Sequence, residues 1–535
     1  MRRDPRLLAV PVVLIVVGAV SWAAATRPAA GKTASAMSAA VPITQSTVVC
    51  PQAGGKPAKG VAQIAYANAD STPAGASASS ITAAPLDPNG VAAAVPVHAG
   101  QAWAVDAPKT AGPIAVTLKG PIATSSGVVQ LTHQKVGNTA QASGAPCEAP
   151  VTDAWFAGFS SGVGQHATLL LSNIDSVPAT VDVGIYGDTS PPNADADHDI
   201  PVAPQTQVAV QLDSLAPGLS NIVAHVSATA GRIVPAVRYD ASNGSIPLGT
   251  DFLPRTEGPA TVQTIPGIVG GDGARRLVLA DIGDVDATVS VKVIDSDGSF
   301  TPSGLDVVSV PAGQVATVDL AAVVHGNDAA VVVTSTQPVV AGAVAALPND
   351  KAGGSDIAFS GAVPALTGPA MAAAGESGGN NHTKLLLTAP DADAQVRLTV
   401  VPSASASPLV SPLTVPGGTT TTVDLGSLTR DPAPAVEVTP VGGGPVYAAW
   451  VLQEASKTTA DITMFPLRSP PQSLLRPPVL TNPFAGLPGT GTATPSAPAS
   501  PPATGEPVPS SEPPAPDLSS SQFPSSPPSS SQPSP

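Results

Sequence analysis

The chain has 535 residues, of which 43% are hydrophobic, 3% aromatic and 11% charged, with 62 prolines and 50 glycines. That length exceeds one hydrophobic core and predicts about three to five units of roughly 100 to 200 residues each. With 23 Lys and Arg against 38 Asp and Glu, the formal net charge is -15, which lacks the positive field that phosphate backbones demand and excludes nucleic acid as a partner.

Arg2, Arg3 and Arg6 precede an apolar run from Leu7 to Ala25. As a helix this run measures about 28 Å, close to the roughly 30 Å of a bilayer's hydrocarbon core. Basic residues on its N-terminal side hold that end in the cytoplasm and send the rest of the chain outward. The expectation is a single-pass protein of the cell membrane with its C-terminal bulk outside. The small residues Ala23, Ala24 and Ala25, or Ala34, Ser35 and Ala36, leave cleavage as a signal peptide and secretion as the alternative. The sequence contains no second run of similar length, as a multi-pass transporter would require.

Internal repetition is the strongest signal in the rest of the chain. AQIAYAN ending at Asn68 is matched by ATLLLSN ending at Asn173, RRLVLAD ending at Asp281 and TKLLLTA ending at Ala389. A second marker keeps step with the first: VHAGQAWAVD from Val97, VAPQTQVAVQ from Val202, VPAGQVATVD from Val310 and VPGGTTTTVD from Val415. Two markers in one register define four copies, at residues 46–145, 146–253, 254–362 and 363–467. Residues 1–45 precede them as basic end, apolar segment and linker.

Inside a copy the apolar period is two. Val289, Val291 and Val293 alternate with Thr288, Ser290 and Lys292, and Val181, Val183 and Ile185 with Asp182, Gly184 and Tyr186. Such alternation describes strands with one face in a core and one in water. In the second copy it predicts strands near 154–159, 167–173, 180–186, 199–202, 207–212, 222–228 and 232–239. About seven short strands per copy, separated by Gly, Pro, Asn and Asp turns, predict an all-β chain of about four tandem immunoglobulin-like antiparallel sandwiches; a β-propeller is the alternative.

Cys50 and Cys147 are the only cysteines. Outside the membrane they are expected to form a disulfide tying the start of the first sandwich to the start of the second. From residue 468 to Pro535 the composition turns to Pro and Ser without apolar periodicity, the signature of a disordered tail. Within it Leu487–Gly491 spell LPGTG, a sortase pattern that lacks the following apolar helix and basic end such attachment needs. Gly158, Phe159, Ser160, Ser161 and Gly162 satisfy GxSxG, but no helix follows to make a nucleophile elbow. Asn193, Asp195, Asp197, His198 and Asp199 resemble an alternating-oxygen loop without the turn Gly and distal Glu of a calcium site. Carboxylates at Asp281, Asp284, Asp286, Asp391 and Asp393 are read as turn caps. His98, His133, His166, His198, His225, His325 and His382 are scattered without ligand spacing. Trp103, Trp155 and Trp450 fall in predicted strands and are read as core. No catalytic, cofactor or metal residue is assigned.

Cys50 followed by Pro51, the Trp155-Phe156-Ala157-Gly158 strand leading into LLLSN, and the repeated VPxG and VDL markers resemble an uncharacterised actinobacterial family of membrane-anchored extracytoplasmic proteins, a domain of unknown function. The resemblance implies an envelope location, near glycosyltransferases that build surface polymers. The functional expectation is a non-catalytic scaffold or adaptor of the cell envelope, held by its N-terminal helix and partnered by an envelope protein or polysaccharide. A polysaccharide-binding module, or an enzyme with a dispersed site, is the alternative.

Overall fold

The computed structural model describes residues 39–51, 60–68, 79–98, 100–106, 112–136, 139–188, 193–324, 326–348, 354–372, 381–403, 407–429, 434–455 and 460–476. The apolar run at Leu7–Ala25 and the LPGTG stretch lie outside them. Among the described residues no helix is long and apolar enough to cross a membrane. The strands gather into one compact unit bounded by Met37 and Pro478.

Each copy is a two-layer sandwich of antiparallel strands. In the second copy the strands are Asp153–Phe159, Gln165–Asn173, Ala179–Gly187, Asn193–Val202, Thr206–Gln211, Ile222–Ala230, Val234–Asn243 and Ile246–Leu253. Counted in that order, they form one sheet of order 1-6-3-4 and a second of order 5-2-7-8. The first and fourth copies repeat this order. In the third, the sixth and seventh strands are one 20-residue strand, Ala329–Pro348, that passes from one sheet into the other. The all-β sandwich architecture is as the alternation predicts, and among the described residues no propeller is found. Strands 1 and 2 lie in different sheets, whereas the immunoglobulin order keeps them together.

The period-two pattern is what builds the layers. Val181, Val183, Ile185, Val289, Val291 and Val293 are buried, while Asp182, Ser290 and Lys292 keep contact with solvent; Gly184 and Tyr186, expected on the water face, are buried as well. The cores continue from one sandwich into the next. Val344 and Phe359 of the third copy join the core of the second; Val129 and Leu131 of the first join that of the fourth. Third and fourth meet at Ala358, Leu386 and Met464, and first and second at Ala145, Leu170 and Phe252. Burial of this kind stabilises by about 25 cal/mol per Å² of apolar surface, so the joints are part of the fold rather than linkers.

The eighth strand of each copy, missing from the seven expected, sets the arrangement of the four. These strands are Thr139–Pro146, Ile246–Leu253, Ser355–Gly361 and Ala460–Pro466. Each bonds its own seventh strand on one edge. The other edges face one another: first packs on second, second on third, third on fourth, and fourth on first again. Four sandwiches therefore close into a ring around a hub of strand edges.

A strap fastens the ring. Ala39–Pro42 pairs antiparallel with Ser473–Arg476, and the amide of Ile43 donates to Gln472 O at 3.2 Å. Residues 468–476, expected to begin the disordered tail, thus belong to the folded unit, held by this pairing and by hydrogen bonds from the Arg468 side chain to the carbonyls of Arg255 and Ala362. Cys50 and Cys147 are bonded and buried. Cys50 ends the first strand of copy one and Cys147 follows its eighth. The bridge therefore closes the first sandwich on itself, where the sequence expectation had it linking the first two sandwiches.

Glycine marks the joints. Gly158 and Gly267 occupy equivalent places in the first strands of copies two and three, each with positive φ, 111° and 88°. A Cβ on Gly158 would lie 2.6 Å from Val344 Cγ2, and one on Gly267 2.8 Å from Ala449 Cβ. The first glycine of the GxSxG match is thus a contact point between sandwiches. Gly158→Val combines backbone strain with overpacking and is expected to destabilise the ring by about 2 kcal/mol or more, read from the urea midpoint.

Candidate functional site

Polar side chains converge at three places: the hub, its end near the strap, and a cleft between the third and fourth sandwiches. At the hub, a buried edge strand exposes N–H groups that water cannot reach, and each needs an acceptor. Asp356 is fully buried, and its Oδ2 accepts from Ala142 N at 3.0 Å and Ile462 N at 2.9 Å. Asp251, also fully buried, uses Oδ1 to accept from Gly144 N at 3.0 Å, Phe252 N at 2.9 Å and Thr463 Oγ1 at 3.0 Å. Asp461 occupies the position of Asp356 in the next copy and is almost as buried. Two carboxylates thus bridge all four sandwiches. Burial pushes both well above the usual carboxylate range, against the pull of the donated N–H groups. Asp356 Oδ1 has no hydrogen-bond partner among the described residues, a site suited to a carboxyl proton. Among the described residues no three His, Cys, Asp or Glu are grouped to hold a metal ion.

Just past the eighth strands lies an ion network. Glu148 pairs with Arg255 at 2.8 Å. Arg468 pairs with Glu257 and donates to the carbonyls of Arg255 at 2.9 Å and Ala362 at 3.1 Å. Glu148, Arg255, Ala362 and Arg468 each follow an eighth strand by one or two residues, so the network ties four joints together. Beside it a cleft of about 370 Å³ opens between the first and fourth copies, lined by Leu118, Val128, Met371, Glu437 and Phe465 among others.

The third place is a polar cleft of about 420 Å³ formed by Ser296, Asn327, Asp328 and the run Thr419–Thr422. Asp328 Oδ2 meets Lys384 Nζ at 3.4 Å and Thr422 Oγ1 at 3.2 Å, while Asn327 donates to Asp297 at 3.2 Å. Thr420 Oγ1 donates to Ile294 O at 2.7 Å. The threonine run belongs to the repeated marker from Val415 and, as the fifth strand, lies at the edge of its sheet.

Among the described residues, those singled out in the sequence do not gather. Ser160 is buried and shares a hydrogen bond with Tyr239 Oη at 2.8 Å; Ser161 bonds the backbone at Ala216 and Leu219. His166 faces Asp213 at 3.2 Å, and His225 meets Asp153 at 2.6 Å while stacking on Trp155. His198 approaches Asp182 at 3.9 Å, but that carboxylate already accepts from Asp199 N. The side chains of Asn193, Asp195, His325 and His382 lie outside what the structure describes. Asp281 accepts from the Gly283 amide as the turn cap expected of it, whereas Asp286 and Asp393 accept from the amides of Ala312 and Gly417, 26 and 24 residues further along the chain, and Asp391 lies 3.7 Å from Lys292 Nζ. Trp155 and Trp450 are buried, and Trp103 stacks on Tyr66. Sequence reasoning missed Asp251, Asp356 and Asp461, although an acid recurring in register inside apolar strands was a usable signal.

A family model described as a family of unknown function (DUF5719) matches residues 97–426, more than half of the chain. The chain belongs to the DUF5719 family. In this DUF5719 protein the match runs from the repeated marker of the first sandwich through that of the fourth, and so takes in the eighth strands of the first three copies and both hub carboxylates. No curated protein matches the chain.

Proposed function

We propose that this DUF5719 protein is a non-catalytic extracytoplasmic scaffold of the cell envelope. The observation that carries the reading is how the converging polar groups are used: the hub carboxylates satisfy backbone amides of neighbouring sandwiches, and the ion network joins their ends. Such groups hold a ring together, and what the ring offers a partner is its rim of sheet edges and loops. The basic end with the apolar run Leu7–Ala25 supports a single-pass anchor with the ring outside, and the Cys50–Cys147 bridge suits an oxidising compartment. Membrane anchoring and the link to surface-polymer assembly are part of this proposal. Cross-linking in intact cells, detergent extraction, affinity purification through the C-terminal segment and mass spectrometry test it. The expected result is one envelope assembly protein, lost when the sandwiches are deleted and the anchor kept; recovery of background alone would overturn the protein-scaffold reading.

The cleft at Asp328 and Thr419–Thr422 favours a second reading, polysaccharide binding. Its hydroxyls and carboxylate match the hydrogen-bonding groups of a sugar, although among the described residues no tryptophan, tyrosine or phenylalanine lines it for stacking. Glycan-array binding that is lost on Thr422→Val would favour it over the scaffold.

A further inference from the structure

The strap brings three exposed aliphatic side chains together on a short ribbon that carries no acidic residue. Val41 is 42%, Leu474 63% and Leu475 73% exposed. Val41 pairs directly with Leu474, which puts those two on one face of the ribbon, and Leu475 pairs with Ala40, which puts it on the other. Large aliphatic side chains thus stand out on both faces. A protein partner laid against the strap would cover one face; a fluid apolar medium wets both. The outer backbone edges of a two-stranded ribbon still need hydrogen bonds, so its place is the interfacial zone of a bilayer rather than the hydrocarbon centre.

Charge follows the same division. Residues 37–69 and 462–505, which contain the two strands, hold no Asp or Glu in a chain that has 38 of them. Residues 46–145 carry three acids against five lysines, whereas residues 146–253 carry eleven acids against two arginines. Exposed Lys119 pairs with Gln45, and the amide of Gly120 donates to Thr44 O at 2.8 Å, which places this cation at the foot of the strap. The first sandwich and the strap are the positive side of a negative ring. Thirteen residues separate Ala25 from Ala39, a reach of at most about 45 Å.

We propose that the strap is a lipid-docking surface, through which the ring sits on an anionic bilayer with its first sandwich toward the lipid and its acidic second and third sandwiches turned away. The proposal rests on the membrane-anchored reading of the chain. Basic side chains near an anionic surface add to the apolar contacts, and two weak signals together with a tether hold an orientation that none would hold alone.

The test uses the full chain in vesicles of phosphatidylcholine and phosphatidylglycerol, 7:3 by moles (about 30% anionic lipid), with brominated acyl chains that quench tryptophan. Trp22 lies in the apolar run and is replaced by Phe to remove its signal; Trp103, Trp155 and Trp450 stay in every variant, and the emission of the Trp22→Phe chain is subtracted from each. Into that background go Leu475→Trp and, as a control on the third sandwich, Val307→Trp, which replaces a residue 67% exposed. The expected result is at least twofold stronger quenching of the Leu475→Trp signal than of the Val307→Trp signal, and weaker quenching in pure phosphatidylcholine. Equal quenching at the two sites, in protein that stays with the vesicles through an alkaline carbonate wash, overturns the docking surface and leaves the anchor intact. Protein that washes off overturns the anchor and the docking surface together.

Discussion

Asp356→Ala is expected to be the most damaging single substitution in the hub, lowering stability by about 3 to 5 kcal/mol in equilibrium urea unfolding. It removes the one acceptor shared by Ala142 N of the first sandwich and Ile462 N of the fourth, leaving two buried amides unpaired at about 1 to 3 kcal/mol each, and a void besides. Asp356→Asn keeps a carbonyl oxygen for both amides and is expected to cost far less. The two variants therefore separate loss of the acceptor from loss of the charge. The wild-type pH dependence has a defined sign. Burial raises the folded-state values of Asp251 and Asp356 above the unfolded value, so their contribution is fully present below about pH 4 and is lost as pH rises through the raised values. Asp175, lowered by its hydrogen bond to Arg232, acts oppositely and loses its contribution as pH falls through its lowered value. Urea midpoints measured from about pH 4, next to the unfolded carboxylate value of about 3.9, toward alkali are expected to fall in wild type and to fall less in Asp356→Asn. A wild-type midpoint that rises through this range would contradict the assignment.

The paired substitution Cys50→Ser with Cys147→Ser is expected to cost roughly 2 to 5 kcal/mol. The bridge spans 97 residues, and closing a loop of that length removes a large share of the unfolded chain's freedom. It also holds the first sandwich, whose joint with the second has the smallest apolar cluster of the four, Ala145, Leu170 and Phe252 with Ala236 against them. The loss is expected to appear first as local opening there. Amide exchange in Thr139–Pro146 should accelerate well before that in Ser355–Gly361. Uniform acceleration across the ring would show instead that the four sandwiches unfold as one cooperative unit.

Much of the sandwich architecture could be read from residue order, because Val, Ile and Thr at period two carry their burial in their spacing. The eighth strands could not. Ile246–Leu253 contains Gly249 and Asp251, which read locally as a turn, yet Gly249 lets Ile357 of the next sandwich approach within 2.5 Å of a would-be Cβ and Asp251 spends its carboxylate on residues 107 and 212 positions away. Those choices make sense only once the strands are brought together. The same holds for Gly158, which looked like part of a hydrolase motif and is a spacer against Val344. An aspartate inside an apolar strand is conventionally demoted to the surface; Ser355–Gly361 and Ala460–Pro466 share an Asp-Ile pair in register, and that coincidence was the one local trace of the hub.

The strap also decides how the molecule meets mechanical load. Ala39 pairs with Arg476 and Pro42 with Ser473, so the two chain segments leave the ring side by side from the same end of the ribbon. Tension applied between them peels the pairs one at a time from Ala39 and Arg476 inward, a zipper geometry that yields at low force, and the sandwiches are loaded only after the ribbon has parted. A pull between the two ends would therefore be met by a small, reversible extension of a few residues, with the ring behind it acting as the stop.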